Sequence, residues 1–299
     1  MLTESRNPNT MTIDQLATLD MLKTINGEDA GVAAAVHEAL PNITAAVDAI
    51  SARMRGTDES PGGRLIYVGA GTSGRLGVLD AVECVPTFST APGLVIGLIA
   101  GGERALTQAV EGAEDNPDMG KSDLLALDLQ PHDSVVGIAA SGRTPYVIGA
   151  LQAAGEIGAF TAAVTCNANA PMLDHAQVGI VALVGPEVIT GSTRLKAGTA
   201  QKLILNMLST ATMIKLGKVY GNLMVDVMVT NQKLADRARR IISEVTGIST
   251  EEAGQLLAQT DNHVKSAIVM AMLDVSAADA ARLLKTHNGV LADVLKSSR

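Results

Sequence analysis

The chain has 299 residues, of which 47% are apolar and 18% are charged, and its formal net charge is −8. This composition is typical of a globular protein with a large buried core. The negative charge, with no block of lysine and arginine, argues against nucleic acid or an anionic membrane as the main partner. No apolar stretch reaches the about 20 residues that a membrane span requires, and Met1–Pro8 lack the pattern of a signal peptide. We therefore expect a cytoplasmic protein.

The cysteines and histidines show no spacing typical of a disulfide or a metal site. Cys84 and Cys166 lie far apart without a second cysteine nearby, so we expect both to be small buried residues. No two histidines have the spacing that places two metal ligands on one helical face. The sequence therefore predicts no metal site from its histidines, which are His37, His132, His175, His263 and His287.

The predicted elements begin with helices. Apolar residues recur at helical spacing from Ile13 to Arg55, and the turn-rich sequence GTDESPGG at 56–63 ends this pattern. Short apolar runs then alternate with helical stretches. These runs lie at 64–69, 94–100, 134–139, 160–165 and 178–184.

Five buried strands separated by helices predict an α/β fold with a doubly wound, five-stranded parallel sheet. A long apolar helix is expected from Thr199 to Leu216, and short helices with polar joints follow Asn231. We therefore expect N-terminal helices, the sheet domain and a small C-terminal helical domain. The expected ranges are 1–57, 58–232 and 233–299.

The loop after the first predicted strand is rich in glycine. Its sequence GAGTSG at 69–74 fits the G-x-G-x-x-G pattern of dinucleotide-binding proteins. Such proteins carry an acidic residue at the end of the second strand, whereas this strand ends in Gly101-Gly102. Gly71, Thr72 and Ser73 instead place hydroxyls and backbone N–H groups at a helix N-terminus, which favours an anion. This arrangement suits a phosphate monoester.

A second loop has the same design. Ser141, Gly142 and Thr144 follow the third predicted strand, and Pro145 suits the first turn of the next helix. The alternative is that these hydroxyls only cap the helices. Two similar loops in one sheet favour a shared ligand, because open α/β sheets bind ligands at the carboxyl ends of their strands.

The two loops, GAGTSG and ASGRTP, resemble those of the sugar-isomerase (SIS) domain of phosphosugar enzymes and regulators. The sequence GPEVITGSTRLKAGTAQK at 185–202 is similar to a signature shared by N-acetylmuramic acid 6-phosphate etherases and glucokinase regulatory protein. Similarity to the bacterial etherases extends over the whole chain. The regulatory protein has two such domains and this chain has one, which favours the enzyme.

The resemblance implies an SIS-type αβα sandwich in the 58–232 region and a lyase activity without a cofactor. Etherases of this family cleave the D-lactyl ether of N-acetylmuramic acid 6-phosphate by elimination and water addition, giving N-acetylglucosamine 6-phosphate and D-lactate. This reaction belongs to amino sugar catabolism and the recycling of peptidoglycan. The resemblance also implies a homodimer with sites near the subunit interface.

The motif positions of the family place two catalytic carboxylates on Glu83, in LDAVECVPT, and Glu114, in VEGAEDN. The chemistry also requires one base for the proton at C2 and one acid for the leaving lactate. We expect Glu114 to be the base and Glu83 the acid. A solvated surface charge is the alternative for either glutamate considered alone.

The long signature contributes further candidates for substrate binding, namely Glu187, Ser192 and Arg194. Thr193 and Lys196 lie beside them, and Arg143 lies in the second loop. A cation among these would offset the phosphate charge or hold the lactyl carboxylate. For Arg194 and Lys196 the alternative is an ion pair that fixes the start of a helix.

Two other functions share much of this pattern. An aldose–ketose isomerase of sugar phosphates would use the same loops and a base at C2, without an acid at the C3 ether. A sugar-phosphate sensor like the regulatory protein would bind the ligand without turnover.

Overall fold

The computed structural model describes residues 1–56, 62–227, 229 and 231–297, which form two compact units. The first unit comprises Met1–Val82 and Gly93–Ser209. The second comprises Glu83–Pro92 and Thr210–Arg299. Residues 57–61 of the predicted break lie outside the described residues.

A five-stranded parallel sheet forms the centre of the first unit, in the order β2-β1-β3-β4-β5. Every residue of β1 and β3 is buried, as expected of strands covered on both faces. The predicted fold class is therefore confirmed, and the predicted strands agree with those observed to within a few residues. The strands are β1 Leu65–Gly69, β2 Val95–Ile99, β3 Ser134–Ile138, β4 Phe160–Thr165 and β5 Val178–Val181.

The helices of the sheet and of the N-terminal region follow the predicted alternation. They are α1 Thr18–Asp29, α2 Val32–Glu38, α3 Leu40–Met54, α4 Gly71–Phe88, α5 Arg104–Thr107, α6 Pro117–Leu125, α7 Pro145–Ile157 and α8 Lys196–Lys215. Helix α8 begins earlier than the predicted start at Thr199. Both carboxylate oxygens of Glu187 accept hydrogen bonds there, at 2.9 Å each, from the N–H groups of Lys196 and Ala197. This cap extends the helix N-terminus.

Helices cover both faces of the sheet. Ile66 and Val68 of β1 belong to one continuous core with α6 and α7. Tyr67 lies between them on the opposite face, where its hydroxyl donates a 2.9 Å hydrogen bond to Asp80 of α4. Helix α3 packs against β4 and β5, and the guanidinium of Arg53 lies 5.4 Å from the centre of the Phe160 ring.

The C-terminal region is helical, as predicted, and the second unit has its own apolar core. A capping box of Ser249 and Glu252 begins one of its helices. A short antiparallel pair of strands precedes the helices. The elements are β6 Val219–Tyr220, β7 Leu223–Met224, α9 Gln232–Thr246, α10 Thr250–Gln259, α11 Val264–Leu273, α12 Ala277–Thr286 and α13 Leu291–Ser297.

Two further sequence predictions concern the cysteines and the search for membrane-spanning helices. Cys84 and Cys166 are both buried, as expected. Burial is the main cause that raises the pKa of the Cys166 thiol to about 12, and the charge of Glu187 adds to it. Among the described residues, no helix combines the length and the apolar character that crossing a bilayer requires.

Candidate active site

A cleft of about 370 Å³ lies at the carboxyl ends of β1 and β3 in the first unit. The strand order reverses direction between these two strands, which is where open α/β sheets bind their ligands. Both predicted loops contribute to it. Its lining includes Gly71, Thr72, Ser73, Ser141, Arg143, Thr144, Glu114, Asp115, Thr193 and Glu4.

The first loop brings the N-terminus of α4 directly to the end of β1. A Cβ atom on Gly69 would lie 2.7 Å from the backbone nitrogen of Gly74, so this close approach requires glycine. Thr72 and Ser73 stand in the first turn of α4, where the backbone N–H groups have no partner within the helix. The Ser73 hydroxyl donates a 2.9 Å hydrogen bond to the side chain of Gln201 in α8.

A buried carboxylate also joins α4 to α8. Asp80 accepts hydrogen bonds from Asn206 at 2.7 Å and from Ser209 at 3.1 Å, in addition to the bond from Tyr67. Burial raises the pKa of Asp80 above its ordinary value, although these hydrogen bonds act in the opposite direction. The network holds α4 against the sheet and α8.

The second loop turns sharply into α7. Gly142 has a φ of +66°, and a Cβ atom there would lie 2.2 Å from the Cβ of Ala170, so no other residue fits. Gly142 therefore shapes the loop, although it is not among the residues that line the cleft.

The hydroxyls of this loop do not cap α7. Thr144 is the N-cap residue, yet its side chain makes no capping hydrogen bond. The Ser141 hydroxyl accepts a 3.2 Å hydrogen bond from the N–H of Arg143, within the loop itself. The capping alternative is therefore not observed for Thr144, and its hydroxyl is available to a ligand.

Glu114 stands on a short 3₁₀ turn, Ala113–Asp115, which follows Gly112 with a φ of +73°. Its carboxylate is exposed and lines both the cleft and an adjoining cavity of about 260 Å³. Asp115 adds a second carboxylate to the lining. Among the described lining residues of the cleft, Arg143 supplies the positive charge.

Glu83 lies in the C-terminal half of α4, in the part of the helix that belongs to the second unit. Its side chain is exposed to solvent. Its role as the acid stays a prediction, as does the role of Glu114 as the base.

The long signature contributes more to the fold than to the cleft. Glu187 is fully buried as the cap of α8, and Ser192 is half-buried outside the lining. Arg194 is exposed and lines a separate cavity of about 470 Å³. Thr193 is the signature residue that reaches the cleft.

Lys196 forms the ion pair that was the alternative to ligand binding. Its Nζ lies 2.7 Å from the carboxylate of Glu28, and both side chains are largely buried. Burial acts to raise the pKa of Glu28, but hydrogen bonds from Lys196, Asn9 and Asn7 outweigh it, so the pKa lies below its ordinary value. This pair attaches α1 to the start of α8.

The sequence interpretation missed Glu4, which lines the cleft beside the two loops. The sequence predicts a helical segment for residues 1–57, outside the sugar-phosphate-binding domain. Within the described part of the chain, no group of three or more His, Cys, Asp or Glu side chains is arranged to hold a metal ion.

Comparison with solved structures supports the fold. A phosphoheptose isomerase from Francisella tularensis superimposes with a TM-score of 0.53 at 16% identity, over 67% of this chain and 100% of that one. The model of the N-terminal SIS domain of glucokinase regulatory protein matches residues 42–155. The model of the C-terminal lid domain of the same protein matches residues 221–266. The fold and the paired loops thus define an SIS-domain protein.

Curated relatives narrow this class. N-acetylmuramic acid 6-phosphate etherase of Pectobacterium atrosepticum is 57% identical over 99% of this chain and 96% of its own length. The etherase of Photorhabdus laumondii is 54% identical over 100% of this chain and 98% of its own length. The chain belongs to the N-acetylmuramic acid 6-phosphate etherase family.

Proposed function

We propose that the protein cleaves the D-lactyl ether of N-acetylmuramic acid 6-phosphate, giving N-acetylglucosamine 6-phosphate and D-lactate. The observation that carries this proposal is the sequence identity to etherases, which exceeds 50% over nearly the full length of both chains. The cleft supports it, because two hydroxyl-bearing loops and the carboxylate of Glu114 line the same space.

In the proposed reaction, the two loops bind the 6-phosphate while the sugar is in its open aldehyde form. Backbone N–H groups of the α4 N-terminus, with Thr72, Ser141 and Thr144, donate to the phosphate oxygens. The Ser73 hydroxyl joins them by turning from Gln201 to the phosphate. Arg143 offsets part of the phosphate charge. The loops thereby place the reacting carbons over the remaining part of the cleft.

Glu114 removes the proton from C2, which the neighbouring aldehyde acidifies, and the electron pair forms an enolate. The C3–O bond then breaks as the C2–C3 double bond forms, and Glu83 donates a proton to the departing lactate oxygen. Water adds at C3 and a proton returns to C2. The overall reaction consumes one water molecule and gives N-acetylglucosamine 6-phosphate and D-lactate.

Product analysis tests this function directly. Incubation of the protein with N-acetylmuramic acid 6-phosphate in ¹⁸O-water should release D-lactate that carries no label, because elimination leaves the ether oxygen on lactate. Mass spectrometry measures both products. Isomerised sugar without lactate would indicate an aldose–ketose isomerase, and tight binding without turnover would indicate a sensor.

A homodimer in the cytoplasm is also part of the proposal, and it derives from the family resemblance. Leu79 and Val82 of α4 are 53% and 61% exposed. They are three residues apart and therefore share one helical face. An exposed apolar pair of this kind suits a contact with a second copy of the chain.

The phosphate assignment predicts a loss of affinity in loop variants. Ser141→Ala and Thr144→Val each remove a hydrogen bond to a charged group, so we expect N-acetylglucosamine 6-phosphate to bind about tenfold more weakly or worse. Isothermal titration calorimetry measures this. Ser73→Ala should do the same, although it also breaks the bond to Gln201.

Ser122→Ala provides a matched control, because Ser122 of α6 is exposed and its hydroxyl donates only to the Met119 carbonyl. It should bind like the wild type. Unchanged affinity in the Ser141 and Thr144 variants would contradict the assignment of the phosphate to these loops.

A further inference from the structure

The first residues of the chain are fastened to the carboxyl edge of the sheet. Asn167, which follows β4, accepts a 3.0 Å hydrogen bond from the N–H of Leu2 and donates to the Thr3 hydroxyl at 3.2 Å. Its amide also donates to the carbonyl of Ala140 at 2.8 Å, at the start of the second loop. Thr3 is fully buried. These hydrogen bonds therefore hold the N-terminal turn in place within the first unit.

Further contacts extend this attachment along the segment. The Thr10 hydroxyl donates a 2.8 Å hydrogen bond to the carbonyl of Val188, and Asn7 donates to the carbonyl of Pro186 at 3.3 Å. Asn7 and Thr10 are both buried. The segment thus lies along the 185–202 signature, next to the cleft.

This attachment places the side chain of Glu4 in the wall of the cleft, with the two phosphate loops and Glu114. A Cβ atom on Gly191 would lie 3.0 Å from Oε2 of Glu4, and Gly191 has a φ of +76°. Glycine at this position therefore leaves room for the carboxylate. Within the described part of the chain, the Glu4 carboxylate accepts no side-chain hydrogen bond and makes no ion pair.

We propose that Glu4 is a substrate-binding residue, whose carboxylate accepts hydrogen bonds from hydroxyl or amide N–H groups of the sugar. This inference rests on the proposed function of the cleft. A carboxylate without a partner, in a cleft that it shares with Glu114 and Asp115, repels anions and attracts hydrogen-bond donors. Glu4 therefore binds the uncharged part of the sugar phosphate, and the lactyl carboxylate lies away from it.

Glu4→Gln separates this role from a structural one, because the amide has the same size and keeps an acceptor oxygen but loses the charge. We expect N-acetylglucosamine 6-phosphate to bind about tenfold more weakly. Inorganic phosphate, which has no sugar, should bind with unchanged or higher affinity. Calorimetry measures the affinity for both ligands, and Glu38→Gln is the matched control, because Glu38 is exposed at the end of α2.

A double-mutant cycle tests how Glu4 is held. Asn167→Ala should weaken the binding of N-acetylglucosamine 6-phosphate, because it releases the N-terminal turn. Glu4→Gln should then reduce the affinity by much less in the Asn167→Ala protein than in the wild type. Unchanged sugar-phosphate affinity in Glu4→Gln would overturn the inference. An equal loss of affinity for inorganic phosphate would also overturn the inference, because Glu4 would then only support the loops.

Affinity is measured here without turnover, so the two proposals can fail separately. A wild type that binds N-acetylglucosamine 6-phosphate but releases no lactate would contradict the proposed function and leave the Glu4 result valid. A wild type that releases lactate, with no effect of Glu4→Gln on affinity or KM, would contradict the inference about Glu4 alone.

Discussion

Glu114→Ala is expected to abolish both lactate release and the exchange of the C2 hydrogen with solvent. Proton removal from C2 precedes the loss of lactate, so an enzyme without its base cannot begin the reaction. Glu114 lines the cleft together with both predicted loops, and its side chain is exposed. General acid–base groups contribute about 10²–10⁴-fold, which sets the size of both losses.

Deuterium incorporation at C2 of recovered substrate and lactate released into solution are the two measurements. Glu103→Ala is a suitable control, because Glu103 is exposed at the start of α5 and makes no side-chain cap. It should retain both activities. Lactate release at the wild-type rate by Glu114→Ala would exclude Glu114 from the mechanism.

The architecture follows from the sequence because its signals are local. Parallel strands covered on both faces read as continuous apolar runs, as in β1, which is buried at every residue. Glycines mark the two turns into α4 and α7, where a close approach or a positive φ excludes other residues. Those turns also line one cleft, because the sheet order brings the ends of β1 and β3 together.

The rest of the cleft depends on contacts that join distant parts of the chain. Glu187 has the residue type of a ligand-binding group, but its oxygens are both used by the N–H groups of Lys196 and Ala197. Glu4 has the residue type of a solvated surface charge, but Asn167 fastens its turn beside the cleft. Neither placement has a periodic or local pattern, so the sequence alone shows neither the capping hydrogen bonds of Glu187 nor the position of Glu4 in the lining of the cleft.

Glu83→Ala is expected to lose lactate release by about 10²–10⁴-fold while still exchanging deuterium into C2 of recovered substrate. If Glu83 protonates the departing lactate oxygen, its removal blocks the breaking of the C3–O bond but leaves proton removal by Glu114 intact. The enolate then has no route except reprotonation from solvent at C2. Exchange and cleavage are therefore separated by this variant, whereas Glu114→Ala removes both.

The leaving group provides a second measure of the same assignment. An acid is needed because lactate departs as an alkoxide, so a substrate whose C3 substituent is a much better leaving group depends less on Glu83. A 3-deoxy-3-fluoro analogue of N-acetylglucosamine 6-phosphate should therefore release fluoride in Glu83→Ala at a rate close to that of the wild type, and should fail in Glu114→Ala. Exchange lost in Glu83→Ala but kept in Glu114→Ala would invert the two roles, because the residue needed for exchange is the one that removes the C2 proton.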